Sequence, residues 1–149
     1  MRSLHLAILS ALIALSGAGA LHAGEFRSIG GKAAVLYDAP SSKANKRYVL
    51  TRGYPVEVVV VVEGWTKVRD AKGELTWIEN KHLAEKRFLL VTAPVAQIRE
   101  RAEDGATVAF EAEENVLLEL LEVVRGGWLR VRHRDGQEGF VKVTQVWGA

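Results

Sequence analysis

The residue types that most often carry out chemistry are sparse in this chain. It has no cysteine, and of its four histidines only His82 and His133 lie beyond residue 23. A thiol nucleophile and a disulfide are therefore excluded. A zinc site needs three or four ligands at suitable spacing, and two isolated histidines do not supply one. Ser41-Ser42 sit in a turn sequence with no histidine nearby, and Glu113-Glu114 are adjacent acids on a polar stretch, which reads as solvated surface. No catalytic group, metal or cofactor is expected. What the chain offers instead is a concentration of aromatic residues: Tyr37, Tyr48, Tyr54, Trp65 and Trp77, with His82 beside them. Such side chains suit a recognition groove for a short peptide, because they bury much area at little entropic cost. They equally suit core packing and half-buried strands. Groove and core stand as alternatives.

The elements that must position these residues are repeated. Sliding the chain by 63 positions lays "EGWTKVRDAKGELTWIENKHL" on "GGWLRVRHRDGQEGFVKVTQV" without a gap. Gly64 meets Gly127, Trp65 meets Trp128, Gly73 meets Gly136, and Trp77-Ile78 meet Phe140-Val141. Upstream the same offset pairs Val58 with Leu121 and Val60 with Val123, more loosely. Self-similarity at a fixed period marks repeated structural units. Two units are predicted, residues 24–87 and 88–149.

Each unit reads as β. "VEVVVVVEGW" is Val-rich and continuous, as in a strand buried on both sides. "WTKV" and "WLRV" alternate as half-buried strands do. "DAKGE" and "HRDGQ" supply hairpin turns, with Asp135-Gly136 the stronger signal. "EAEENVLLELLEVV" has high helix propensity, but its repeat equivalent is the Val run, so Leu117–Val124 is predicted to be a strand. Short strands with glycine turns in units of about 60 residues predict an all-β chain of two small tandem barrels. Units this small are marginal alone, and no disulfide compensates. The barrels are expected to pack on each other.

Residues 1–23, "MRSLHLAILSALIALSGAGALHA", have one cation, then an apolar run, then small residues. This is the order of a secretory signal peptide, with cleavage after Ala20 or Ala23. A spanning helix needs about 20 uninterrupted apolar residues, and Ser10, Ser16 and the glycines interrupt this one. A periplasmic protein without a membrane span is expected. Residues 24–87 carry 12 basic and 8 acidic residues, and residues 88–149 carry 7 and 10. The split either makes a polar molecule or reflects two solvated surfaces, and it lacks the basic excess of a nucleic-acid binder.

The order "RGYPVEVVVVVEGWTKVRDAKGELTWIENKHL" resembles the bacterial SH3 (SH3b) superfamily, in particular exported tandem-SH3 proteins of proteobacteria. "VWGA" is similar to their short Trp-Gly ending. The resemblance covers roughly Phe26 to Ala149 and implies two five-stranded, partly open, non-catalytic SH3-like barrels that bind cell-envelope or cell-wall components. Hydrolases that carry such modules use a Cys-His pair or a zinc site, and this chain has neither. "VLYDAP" resembles the "ALYDY" string of peptide-binding SH3 domains. On that pattern Tyr37 and Trp65 match groove residues and Trp77-Ile78 match the later strand, but the groove proline is replaced by Glu79 and its tyrosine by His82. In the second unit Trp128 survives, while Glu100, Lys142 and Gln145 stand at the other positions. A polyproline groove is therefore not expected, and Asp38-Ala39-Pro40-Ser41 reads as a turn. Two functions remain: a module binding cell-wall peptide or glycan through the first barrel, or a structural adaptor docking another periplasmic protein.

Overall fold

The structure is a computed structural model that describes residues 24–149. The predicted signal peptide, residues 1–23, lies outside the described residues. Barrel 1 is built from β1 (Glu25–Ile29), β2 (Ala33–Tyr37), β3 (Lys46–Thr51), β4 (Pro55–Val62), β5 (Trp65–Arg69), β6 (Leu75–Glu79), a 3-10 turn (Asn80–His82) and β7 (Leu83–Ala84). Barrel 2 repeats this with β8 (Phe88–Val91), β9 (Val95–Arg99), β10 (Val108–Glu113), β11 (Leu117–Val124), β12 (Trp128–Arg132), β13 (Glu138–Lys142), a 3-10 turn (Val143–Gln145) and β14 (Val146–Trp147). The sheet orders are β3-β2-β6-β5-β4-β1-β7 and β10-β9-β13-β12-β11-β8-β14, the same topology twice. Each sheet has seven strands rather than five, because an N-terminal strand and a two-residue closing strand extend its β4 or β11 side.

Leu117–Val124 is a strand despite its helix propensity. Its partners decide this, since Leu117 and Leu118 pair with β8 and Glu119 to Val124 pair with β12. The predicted turns form where Asp and Gly stand. Asp70 accepts the amides of Lys72 and Glu74 through Oδ1, Asp135 accepts that of Gln137, and Gly73 and Gly136 take positive φ.

The Val run is not buried on both sides. Val56 is fully buried, but Val59 to Val62 are 39–63% exposed. β1 pairs with β4 only as far as Val58, and beyond a bulge β4 continues as a two-stranded hairpin with β5. Valine is there for its fit to an extended, pleated backbone, not for a core on either face.

The repeat offset also changes along the chain. From β5 and β12 onward equivalent residues are 63 apart, but β2, β3 and β4 begin 62 before β9, β10 and β11. The extra residue lies in one turn: Val62 pairs with Trp65 across two residues, and Val124 pairs with Trp128 across three. Val58 therefore corresponds to Leu120, Val60 to Glu122, and Tyr37 to Arg99 rather than Glu100. The sheets agree, since Tyr37 faces Trp77 and Arg99 faces Phe140. A one-residue slip in a strand exchanges its two faces, so this correction matters at the site.

The two cores differ. Barrel 1 encloses Ile29, Ala34, Leu36, Val56, Val68 and Ile78, while barrel 2 encloses ten apolar residues, including Leu89, Ile98, Leu118 and Leu129. Barrel 1 also buries Ser28, Thr66, Asp70 and Thr76. Their counterparts are Leu90, Leu129, His133 and Gly139. Buried hydroxyls and carboxylates must find partners, and these do: Thr66 donates to Asn80 at 2.6 Å, and Tyr48 bridges Asp70 at 3.0 Å and Thr76 at 3.2 Å.

Only Glu85 to Arg87 separate the sheets, and the barrels touch directly. Phe26 meets Trp147 edge to face, with ring centroids 5.0 Å apart. Arg87 lies over the Phe26 ring and donates to the Gly148 carbonyl at 2.5 Å. The Phe88 amide donates to Ser28 Oγ at 3.2 Å. The Trp-Gly ending is thus the seam of the tandem.

Candidate functional site

The six candidate residues fall into separate places. Tyr37, Trp65 and Trp77 converge on the outer face of β2, β5 and β6. Alternation explains it: Thr66 and Val68 point inward from β5, as Thr76 and Ile78 do from β6, so Trp65 and Trp77 point out. Tyr37 follows a bulge at the end of β2, where its backbone faces Trp77. Its ring stands edge to face against Trp65, 5.4 Å between centroids and 86° between planes. Glu79 lies opposite Trp65 and Lys67 opposite Trp77 in the β5–β6 register. The face therefore offers two half-buried rings, Trp65 and Trp77, while Tyr37, only 8% exposed, packs against Trp65 from within. One cation and one carboxylate flank them, the latter also paired with Lys81 at 3.2 Å.

Tyr48 and Tyr54 pack instead against the core, on the side that meets barrel 2, where they line a second cavity with Asp70 and Leu117. His82 ends the 3-10 turn, its carbonyl accepting the Gly30 amide at 2.7 Å.

Barrel 2 carries the same face in a closed form. Arg99 replaces Tyr37 and donates to the Ala106 carbonyl and to Gln97, both at 2.7 Å. Lys142 replaces Glu79, lies 5.6 Å over the Trp128 ring and pairs with Asp104. Both contacts tie the β9–β10 loop down on the face, and Trp128 is only 7% exposed. In barrel 1 the β2–β3 loop closes on itself. Asn45 donates to both carboxylate oxygens of Asp38, at 3.0 and 2.8 Å, and the Trp65 face is left partly exposed. Residue counting missed this contrast. The signal was in Lys142 and Asp104, a cation and an acid that barrel 1 replaces with Glu79 and a turn.

Tyr48 has a titration consequence. Burial is the main cause that pushes its hydroxyl from 10.0 up to about 12; the Thr76 hydrogen bond opposes this, and the Asp70 hydrogen bond and charge reinforce it. Burial raises Tyr54 as well. A phenol raised in the folded state contributes stability that is complete below pH 10 and is lost as pH climbs from 10 to about 12. Tyr48→Phe, which reproduces Phe110 of barrel 2, is expected to make the fall in Tm across that window shallower. Melting curves at pH 9 to 12 check it, and an unchanged slope would remove Tyr48 as the source.

Among the described residues no group of three or more His, Cys, Asp or Glu could hold a metal ion, and no helix is long and apolar enough to cross a membrane. The family model for the bacterial SH3 domain matches the chain twice, over residues 30–85 and 92–148. No curated protein matches it significantly. Solved structures similar to it include NlpC1 from Trichomonas vaginalis, at 20% identity over 93% of this chain and 50% of that one, with a TM-score of 0.40. NlpC2 from the same organism gives 18%, 83%, 48% and 0.39, and an NlpC/P60 family protein from Bacillus cereus gives 20%, 83%, 56% and 0.38. The chain spans about half the length of these proteins. The twofold match and the twice-repeated sheet agree: the chain belongs to the bacterial SH3 domain family, with two such domains in tandem.

Proposed function

We propose that the protein is a non-enzymatic binding module of the periplasm that takes peptidoglycan peptide or glycan on the outer face of barrel 1. The supporting observation is the half-exposed Trp65–Trp77 face, backed by the buried Tyr37 and set beside a barrel 2 face that its own loop covers. Aromatic rings provide area for a sugar or a peptide backbone, and Glu79 provides an acceptor for an amine or hydroxyl where a polyproline groove would need proline. The signal-peptide pattern of residues 1–23 supports export. The absence of cysteine from the sequence removes the nucleophile of a Cys-His hydrolase.

The second reading, docking of another periplasmic protein, draws on the exposed Val59–Val62 strand, which among the described residues has no pairing partner on its β1 side. Co-sedimentation with purified sacculi separates the two. Binding is expected to saturate and to be competed by soluble peptidoglycan fragments. Protein that stays in the supernatant at every sacculus concentration would favour the docking reading.

A further inference from the structure

A cleft of about 660 Å³ lies on the seam between the barrels, within the size range of small-ligand sites. One wall is the β3–β4 turn of barrel 1, Arg52 and Gly53. The other walls are β8, the start of β11 and the β12–β13 hairpin of barrel 2. The cleft is cationic although barrel 2 as a whole is acidic. Arg52, Lys86, Arg132 and Arg134 line it against a single carboxylate, Glu119.

Two of these cations are already engaged. Lys86 pairs with Glu119 at 3.3 Å, and Arg132 makes a two-nitrogen contact with Glu138 at 2.8 and 2.7 Å. Glu138 is held below the usual carboxylate range by its bonds from Arg132 and Arg130, which keeps that contact charged. Arg52 and Arg134 remain. Among the described residues neither pairs with an acid, and they come from opposite barrels. Their planar guanidinium forks match a carboxylate.

The floor is apolar, formed by Phe88, Val116 and Leu117. A bare inorganic anion would leave that floor uncovered. A peptide carries a carboxylate and an aliphatic side chain at neighbouring positions, which answers both surfaces. Gly53 and its counterpart Asn115 both turn the chain at the cleft with positive φ, 83° and 72°.

We propose that the inter-barrel cleft is a second binding site, for a short acidic peptide whose carboxylate is held between Arg52 and Arg134 while an adjacent aliphatic side chain lies on Phe88 and Leu117. No residue of the Tyr37–Trp65–Trp77 face lines the cleft, so the two sites stand or fall separately.

The test uses the tandem chain labelled with 15N and titrated with acetyl-Ala-Leu-Glu. Amide shifts are expected at Gly53, Asn115 and Gly136, all on the cleft, with affinity that falls as salt is raised. The neutral peptide acetyl-Ala-Leu-Gln amide is expected not to bind. Arg52→Ala and Arg134→Ala, both at exposed positions, are each expected to weaken binding about tenfold or more with otherwise unchanged spectra. Equal binding of the neutral peptide would overturn the proposal, as would shifts confined to the barrel 1 aromatic face. Inorganic phosphate giving the same shifts at the same affinity would also overturn it, by reducing the site to a bare anion contact. So would no shift by about 10 mM peptide, where binding energy is negligible.

Discussion

Trp128→Ala is expected to destabilise barrel 2 by about 3–5 kcal/mol, the usual cost of truncating a buried aromatic. Trp65→Ala is expected to cost clearly less. The two tryptophans occupy the same position of the repeat, yet their surroundings differ. Trp128 is 7% exposed, beneath Lys142 and a loop held by the Lys142–Asp104 pair. Its removal leaves a cavity under that loop and strips Lys142 of the ring it covers. Trp65 contacts Tyr37 at one edge and is otherwise partly open to solvent. Urea unfolding of both variants measures the difference. Equal losses would mean that Trp65 is packed as tightly as Trp128, and the open face would lose its basis.

The second large effect is expected on separating the barrels. Residues 24–87 alone should melt at least about 10 °C below the tandem, since each kcal/mol is worth about 4–8 °C in a domain this small. Barrel 1 is the weaker half because its core is smaller and because it buries Ser28, Thr66, Asp70 and Thr76 where barrel 2 has mostly apolar residues or glycine. Separation also removes Trp147 from the Phe26 ring, deprives Arg87 of the Gly148 carbonyl that holds it there, and leaves Ser28 Oγ without the Phe88 amide. Residues 88–149 should lose less but still destabilise, because Trp147 and the Gly148 carbonyl lose their partners. Thermal melts of each half beside the whole decide the point. Halves that melt with the tandem would show that the seam contributes nothing.

The fold was legible because its signals are local and occur twice. Glycine after Asp or Lys fixed the hairpins, alternation fixed the faces of β5 and β12, and the repeat overruled the helix propensity of Leu117–Val124. Burial of the Val run was misread because sequence shows composition but not partners. Nothing in "VVVV" reveals that β1 stops at Val58. The misalignment of Tyr37 with Glu100 came from one inserted residue in the turn before Trp128, where "EG" is answered by "RGG". A gapless slide has no way to place that insertion.

The candidate site was legible only in part. Tyr37, Trp65 and Trp77 were found by type and do converge. Tyr48 and Tyr54 were found by the same signal and belong to the inner side: strand alternation and the bulge at Leu36/Tyr37 separate Tyr48 from Tyr37, and Tyr54 sits in the β3–β4 turn. The seam cleft was invisible, since it depends on how Arg52 of one barrel meets Arg134 of the other.

We propose that the Trp65–Trp77 face of barrel 1 binds the cell wall. The most direct measurement is sacculus co-sedimentation of folded Trp65→Ala beside the intact tandem, with the folded fraction of each sample fixed by circular dichroism. Trp65→Ala is expected to remain folded and to lose binding, while Val143→Ala, an exposed change on the barrel 2 side of the molecule, keeps it. Folded Trp65→Ala that sediments with sacculi as well as the intact protein would contradict the claim.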